Sequence, residues 1–163
     1  MPGELIRTAR SPRDIAHARA LFEAYAAQLG VSLCFQGFDA ELAALPGDYA
    51  PPRGGLWLAG DADAPIGCVA LRPLAHAVDA AADEAAELKR LYVAPQARGS
   101  GLGRHLAHAA IEHARRVGYR TIKLDTLAQM DAARALYASL GFRPCAAYYH
   151  NPLGGTLYME LRL

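Results

Sequence analysis

The sequence predicts an α/β domain built on a mixed, largely antiparallel sheet with helices packed against it. Two apolar runs at 55–60 and 65–74, separated by the turn-forming "DADA", read as a β-hairpin. A third strand follows at 87–93, before the first long helical segment of the second half. Strands at 121–127 and 155–163 come later. Because several strands precede the central helix, antiparallel neighbours are expected instead of a strict Rossmann alternation.

Length and composition fit one domain covering residues 1–163. Hydrophobic residues make up 53% and charged residues 20%, which supplies a sizeable core. The formal charge of +1 gives no general attraction to nucleic acid or to an anionic membrane. Three cysteines without close spacing suit a reducing compartment and predict neither a disulfide framework nor a metal site. With no apolar signal-like or membrane-spanning run, a cytoplasmic protein is expected.

The first third of the chain predicts a weak strand, a helix and a long loop. Residues 4–9 alternate weakly. Ser11-Pro12 starts a helix whose apolar residues recur every three or four positions until Gly30. The piece "FDAELAAL" predicts a short helix capped by Asp39, and "PGDYAPPRGG" is expected to lack regular structure. A loop of this length is often functional.

The second half predicts a helix, a strand and another helix. An apolar stripe at helical spacing runs from Leu102 to Val117, and Gly118 is the expected stop. After the 121–127 strand, "DAARALYASLGF" predicts a helix from about Asp131 that ends at Gly141.

The turn "QARGSGLG" joins the 87–93 strand directly to a helix and has the chemistry of an anion cradle. A helix N-terminus presents unpaired N–H groups, and glycines let a phosphate approach the backbone closely. Arg98 and Arg104 add positive charge. Neither GxxxxGK[ST] nor GxGxxG is present, so two common phosphate loops are excluded. The structural alternative is a plain strand-to-helix turn with glycines for tightness.

Two motifs in order resemble the GNAT superfamily of N-acetyltransferases. "QARGSG" matches the family signature [RQ]-x-x-G-x-[GA], and "ARALYASLGF" resembles its "A..LY..LGF" block. The likeness covers roughly positions 87–143. The pieces "YYHNPLGGTLYMELRL" and "FQGFDAELAALPGDYAPPRGG" resemble a subgroup without a named substrate. The resemblance implies the GNAT fold, whose central strands splay apart, and acetyl-CoA as acyl donor without a metal.

The resemblance also assigns residues to the coenzyme and to the chemistry. The coenzyme's pyrophosphate would lie on the backbone of Arg98, Gly99, Ser100, Gly101, Leu102, Gly103 and Arg104, and its pantetheine arm beside Leu91, Tyr92 and Val93. Gln129 stands next to Met130, which occupies the place of a coenzyme-binding asparagine in many family members. Tyr137 falls on the family tyrosine that protonates the leaving thiolate. Glu87 aligns with a glutamate that some members use as base, while others use a water chain. The alternative for Glu87 is a strand-end carboxylate paired with Lys89, Arg90 or an arginine of an early loop.

The acceptor pocket is expected from the two irregular segments. Its candidate lining is Phe35, Gln36, Phe38, Tyr148, Tyr149 and Asn151, with loop packing as the alternative. The predicted activity is transfer of an acetyl group to a primary amine of a small molecule by direct attack in a ternary complex, since no acyl-enzyme nucleophile is evident. The alternatives are a non-catalytic acyl-CoA sensor and a protein lysine or N-terminal acetyltransferase. The sequence leaves the oligomeric state open, and a homodimer is the commonest assembly.

Overall fold

A seven-stranded mixed sheet organises the chain. The computed structural model describes residues 5–33, 37–74 and 84–163. The strands are β1 (Ile6–Thr8), β2 (Gly55–Gly60), β3 (Pro65–Pro73), β4 (Ala85–Val93), β5 (Thr121–Leu127), β6 (Arg143–Pro144) and β7 (Thr156–Arg162). They lie in the order β1-β2-β3-β4-β5-β7-β6, and only the β4–β5 pair is parallel. The predicted α/β class with a largely antiparallel sheet is confirmed.

In the described part of the chain four α-helices pack on this sheet: α1 (Pro12–Leu29), α2 (Phe38–Ala44), α3 (Leu102–Val117) and α4 (Asp131–Ser139). A capping box starts α1, because the Ser11 hydroxyl accepts a 3.1 Å bond from the Asp14 N–H and the Asp14 carboxylate accepts from the Ser11 N–H. Gly30, with φ of 67°, ends the helix as expected.

Two details near α2 differ from the sequence prediction. Asp39 does not cap this helix, since Gly37 with φ of 67° is the N-cap and no side chain caps the turn. The segment expected to be irregular also contains a short 3-10 helix at Gly47–Tyr49. Its Tyr49 is almost fully buried, so burial of one aromatic ring orders a stretch whose prolines and glycines suggest a loop.

The sheet separates two apolar layers. One lies between the sheet and α3 with α4, and includes Leu88, Leu106, Ile122 and Phe142. The other lies between the sheet and α1 with α2, and includes Phe22. Within residues 5–33, 37–74 and 84–163, no helix has both the length and the apolar composition that crossing a bilayer requires.

The two central strands diverge after a short paired stretch, as the resemblance implies. β4 pairs with β5 only from Ala85–Thr121 to Glu87–Lys123, whereas β5 stays paired with β7 along its whole length. On its other edge β4 shifts register against β3 around Arg90, whose φ is 59°. A positive φ at a non-glycine residue within a register shift marks a β-bulge, which bends the strand. The result is a fork between β4 and β5.

Candidate active site

The fork opens into a cleft of about 440 Å³. Its walls come from β4, from α1 and from the start of α4. The lining residues are Tyr25, Gln28, Leu29, Leu91, Tyr92, Val93, Gln129, Met130, Asp131, Ala132 and Ala133. Four of the residues that the sequence assigns to the coenzyme therefore line the same cleft: Leu91, Tyr92, Val93 and Gln129. An extended ligand would lie along β4, where the strand no longer pairs with β5.

The glycine turn lies between the end of β4 and the start of α3. Gly99 and Gly101 have φ values of 81° and 84°, a conformation that side chains with a Cβ resist. No side chain caps the first turn of α3, so its N–H groups keep their capacity to bind an anion. A Cβ at Gly99 would meet nothing within 4 Å, which leaves that side of the turn open. These features fit a phosphate cradle.

The two arginines beside the turn extend in different directions. The Arg98 Nε donates to the Val93 carbonyl at 3.0 Å, and its Nη2 donates to Gln28 of α1 at 2.5 Å. The Arg104 Nη2 donates to the Ser139 hydroxyl on α4 at 2.6 Å. Both guanidinium groups therefore already connect the turn to neighbouring helices. Each keeps its charge while making these bonds, so both add positive potential to the turn.

Tyr137 reaches the fork from α4. Its ring packs edge-on against Phe142, with centroids 5.7 Å apart, and burial raises the pKa of its phenol. It lines a small cavity of about 30 Å³ at the fork together with Tyr25, Leu88, Lys89, Arg90, Leu91, Asp125, Thr126 and Met130. Among the described residues its hydroxyl forms no hydrogen bond. A protonated phenol facing this cavity can donate to an atom that enters it.

Glu87 is buried on β4, where the β4–β5 pairing ends, and both of its oxygens are occupied. Oε1 accepts a 2.9 Å bond from the Arg72 Nε, and Oε2 accepts a 2.7 Å bond from the Tyr148 hydroxyl. The Lys89 Nζ lies 3.8 Å from Oε2.

A second buried ion pair ties α2 to the bulge. The Arg90 Nε donates to Glu41 Oε2 at 2.9 Å, and its guanidinium lies 5.0 Å from the centre of the Phe38 ring. Glu41 also accepts a 2.9 Å bond from the Tyr49 hydroxyl. Phe38 is thus placed beside the bulge. Phe35 and Gln36, predicted for the same pocket, lie outside the described residues.

The loop before β7 closes over the same face of the sheet. The Tyr149 hydroxyl donates to Asp125 Oδ2 at 2.6 Å and accepts from Asn151 Nδ2 at 3.0 Å. The rings of Tyr148, Tyr149 and Tyr158 pack together with centroids 5.3–5.6 Å apart. Three predicted acceptor residues, Tyr148, Tyr149 and Asn151, are therefore brought together. The two tyrosine hydroxyls donate to carboxylates of β4 and β5, and the Asn151 amide donates to the Tyr149 hydroxyl.

The sequence did not assign to the site the charged residues that line this face: Glu41, Arg72, Lys89, Arg90 and Asp125. The alternation of β4 contained a usable signal, because Glu87 and Lys89 are charged residues at neighbouring positions of one face of the strand. Across the described residues, no group of three His, Cys, Asp or Glu side chains is placed to hold a metal ion.

Comparison with known proteins agrees with this geometry. The sequence pattern of the Acetyltransferase (GNAT) family matches residues 18–142. An uncharacterized N-acetyltransferase of Schizosaccharomyces pombe is 36% identical over 159 residues, 97% of this chain and 94% of that protein. N-acetylaspartate synthetase of Rattus norvegicus is 37% identical over 114 residues, which cover 69% of this chain and 36% of that protein.

Solved structures share the fold. An acetyltransferase of the GNAT family from Staphylococcus aureus superposes with a TM-score of 0.74 at 17% identity, covering 96% of this chain and 98% of that one. The structure of yncA from Salmonella typhimurium with its cofactor acetyl-CoA gives a TM-score of 0.69 at 22% identity, covering 96% and 92%. With a forked sheet, a glycine turn and a family match over most of its length, the chain belongs to the GNAT acetyltransferase family and is an acetyl-CoA-dependent acyltransferase.

Proposed function

We propose that this enzyme transfers the acetyl group of acetyl-CoA to a primary amine of a small molecule, by direct attack within a ternary complex. The observation that carries the proposal is the closure of the acceptor side of the fork. Glu41 of α2 is bonded to Arg90, and Tyr148 of the loop before β7 is bonded to Glu87. Partly buried, charge-assisted bonds hold both segments in place, which favours a compact acceptor over a protein surface.

Acetyl-CoA would be held by the cleft and the glycine turn. The backbone N–H groups of the glycine turn and of the first turn of α3, from Arg98 to Arg104, would bind the pyrophosphate. The β4 edge at Leu91, Tyr92 and Val93 would pair with the pantetheine arm. Gln129 lines the same cleft and could bind the arm from the α4 side. The bulge at Arg90 bends β4 beside the fork, which supports a free β4 amide as donor to the thioester carbonyl.

The chemistry then needs an acid for the thiolate and a base for the amine. Tyr137 is proposed as the acid, because its phenol is protonated at neutral pH and faces the cavity at the fork. Glu87 remains the predicted base from the family resemblance. Its bonds to Arg72 and Tyr148 hold its carboxylate in a fixed orientation, so Glu87 could equally position another group that accepts the proton.

The acceptor class has one independent source of support. A relative that shares 37% identity over 69% of this chain is named for an acetylated amino acid. We therefore place amino acids and similar small amines first among candidate acceptors.

The strands of one sheet come from both ends of the chain, which supports the proposal that residues 1–163 form a single domain. A homodimer remains a prediction.

Initial velocities measured over a grid of acetyl-CoA and amine concentrations test the proposal. A ternary complex gives intersecting reciprocal lines, whereas an acyl-enzyme gives parallel lines and would contradict direct attack. The same assay should compare each free amino acid with a folded protein that carries this residue at its N-terminus. Faster acetylation of the protein would overturn the small-molecule assignment and favour a protein acetyltransferase.

A further inference from the structure

A buried lysine lies at the fork. Lys89 is on β4, its side chain is 3% exposed, and it lines the 30 Å³ cavity that Tyr137 also lines. Its Nζ lies 3.6 Å from Asp125 Oδ1 on β5 and 3.8 Å from Glu87 Oε2. Burying a lysine is costly unless charged groups lie near it, and two carboxylates are within 4 Å of this amine. The amine therefore lies between two strands at the point where they separate, within the reaction space of the proposed function.

The composition of the chain makes this position more unusual. Among 17 Lys and Arg residues, only Lys89 and Lys123 are lysines. Arginine stays protonated in proteins, whereas a buried lysine can lose its proton. The fork thus holds one of the two lysines of the chain. The neighbouring Arg72, which is partly buried, and Arg90, which is buried, are bonded to Glu87 and Glu41.

Charged and titratable groups surround Lys89 from every neighbouring element. They are Tyr25 of α1, Glu41 of α2, Arg72 of β3, Glu87 and Arg90 of β4, Asp125 of β5, Tyr137 of α4, and Tyr148 and Tyr149 of the loop before β7. Burial lowers the pKa of Lys89, while Glu87 and Asp125 act in the opposite direction and the two arginines add to the lowering. The net direction is downward, which favours the neutral amine.

We propose that Lys89 is the residue that receives the proton of the acceptor amine, and that Glu87 and Asp125 stabilise the ammonium it becomes. The proposal rests on the proposed function and assigns its base. Glu87 then acts through Lys89 as a positioning residue, held in place by Arg72 and Tyr148. Asp125 is held in the same way by Tyr149.

The proton balance closes with these groups. The acceptor enters as an ammonium ion and gives one proton to the neutral Lys89 amine, which leaves a nucleophilic amine. Its nitrogen forms the C–N bond to the thioester carbonyl carbon while the C–S bond breaks. The leaving sulfur takes a proton from the Tyr137 hydroxyl, and the Tyr137 phenolate recovers the second proton from the new amide nitrogen. Lys89 returns its proton to solvent after product release.

Lys89→Arg is the sharpest variant, because it keeps the positive charge and removes the ability to accept a proton. We expect turnover to fall by about 100-fold or more, with acetyl-CoA affinity unchanged by calorimetry. Lys123→Arg is the matched control: Lys123 is the other lysine, 28% exposed and 4.0 Å from Glu160, and this variant should keep wild-type kinetics. If Lys89→Arg retained wild-type turnover, a fixed cation would suffice and the proposal would be overturned.

Nuclear magnetic resonance of the wild-type enzyme with ¹⁵N-labelled lysine provides a measurement that needs no variant to fold. Only two side-chain amines contribute, and Lys123→Arg assigns them. Lys89 should titrate at a lower pH than Lys123, and the acidic limb of the kcat/KM profile should follow the Lys89 titration. A Lys89 amine that titrates with or above Lys123 would overturn the proposal. Absence of wild-type turnover with every amine would instead contradict the proposed function, independently of the titration.

Discussion

The Tyr148 hydroxyl donates a 2.7 Å hydrogen bond to Oε2 of Glu87, and this contact joins the loop before β7 to the central strand. The two residues are 61 positions apart in the sequence. The bond is partly buried and its acceptor is a carboxylate, which makes it one of the stronger kinds of hydrogen bond in proteins. It fixes the orientation of Glu87 and, under the proposed function, closes the acceptor side of the fork at the same time.

Replacing Tyr148 with Phe should weaken acceptor use without affecting the coenzyme. The loss of a hydrogen bond to a charged group costs about 1.5–3 kcal/mol, which corresponds to roughly tenfold or more in kcat/KM for the amine. Acetyl-CoA affinity should stay unchanged, because Tyr148 lies outside the lining of the 440 Å³ cleft. Steady-state kinetics and calorimetry measure the two quantities. Unaltered amine kinetics would show that the bond does not shape the acceptor site.

Replacing Tyr137 with Phe should lower kcat by about 10²–10⁴-fold, the usual contribution of general acid catalysis. The ring and its edge-on contact with Phe142 stay in place, so coenzyme affinity and stability should change little. Tyr119→Phe is the matched control, since Tyr119 is also buried but its hydroxyl donates to the Arg53 carbonyl. Equal turnover in the Tyr137 and Tyr119 variants would remove the acid role.

The cradle can be tested at the two ends of α3. Gly101 and Gly118 have similar positive φ values of 84° and 95°, and neither has an atom closer than 3.8 Å to an added Cβ. Substitution by Val should therefore strain the backbone similarly at both positions. Only Gly101→Val should abolish acetyl-CoA binding in calorimetry. If Gly101→Val retained its affinity for acetyl-CoA, the glycine turn would not be the phosphate site. If Gly118→Val also lost affinity, the loss in Gly101→Val would reflect damage to α3 and not to a binding site.

The capping box of α1 makes a pH-dependent contribution to stability. The backbone N–H of Arg10, with further bonds from Ser11 and Arg7, lowers the pKa of Asp14 from 3.8 to about 2 against a smaller effect of burial. Because the folded pKa lies below the unfolded value, this stabilisation is complete above about pH 4 and is lost as pH falls through about 2.

Replacement of Asp14 by Asn should therefore cost about 1 kcal/mol near neutral pH, the usual effect of losing a cap. The difference from wild type should narrow as the pH falls from about 4 to about 2. Urea unfolding at several pH values measures it. A difference that stayed constant through this range would show that the carboxylate charge contributes nothing to the cap.

Local patterns predicted most of the elements. The hairpin of β2 and β3, the strand Thr121–Leu127 and the helix from Asp131 were all indicated by periodicity and turn residues. The 3-10 helix that buries Tyr49 was not, because burial in a tertiary contact overrides a composition typical of loops.

The site was predictable only where a motif is continuous in sequence. The glycine turn and Tyr137 follow from the resemblance, and the structure brings Tyr137 beside the fork. The buried ion pairs Glu41–Arg90 and Glu87–Arg72 join residues 49 and 15 positions apart. No periodicity encodes such partners, since they depend on strand register and on the bulge at Arg90. For the same reason the sequence did not assign Lys89 a role in the site, although it offers Lys89 as an ion partner of Glu87.

A thiol-release screen, with product identification by mass spectrometry, tests the central claim most directly. Purified enzyme and acetyl-CoA would be mixed in turn with amino acids, polyamines, aminoglycosides and short peptides. The account predicts amine-dependent release of CoA with one class of small amine, and a product carrying one acetyl group on nitrogen. Acetyl-CoA binding without release for any small amine, or release only with protein acceptors, would contradict it.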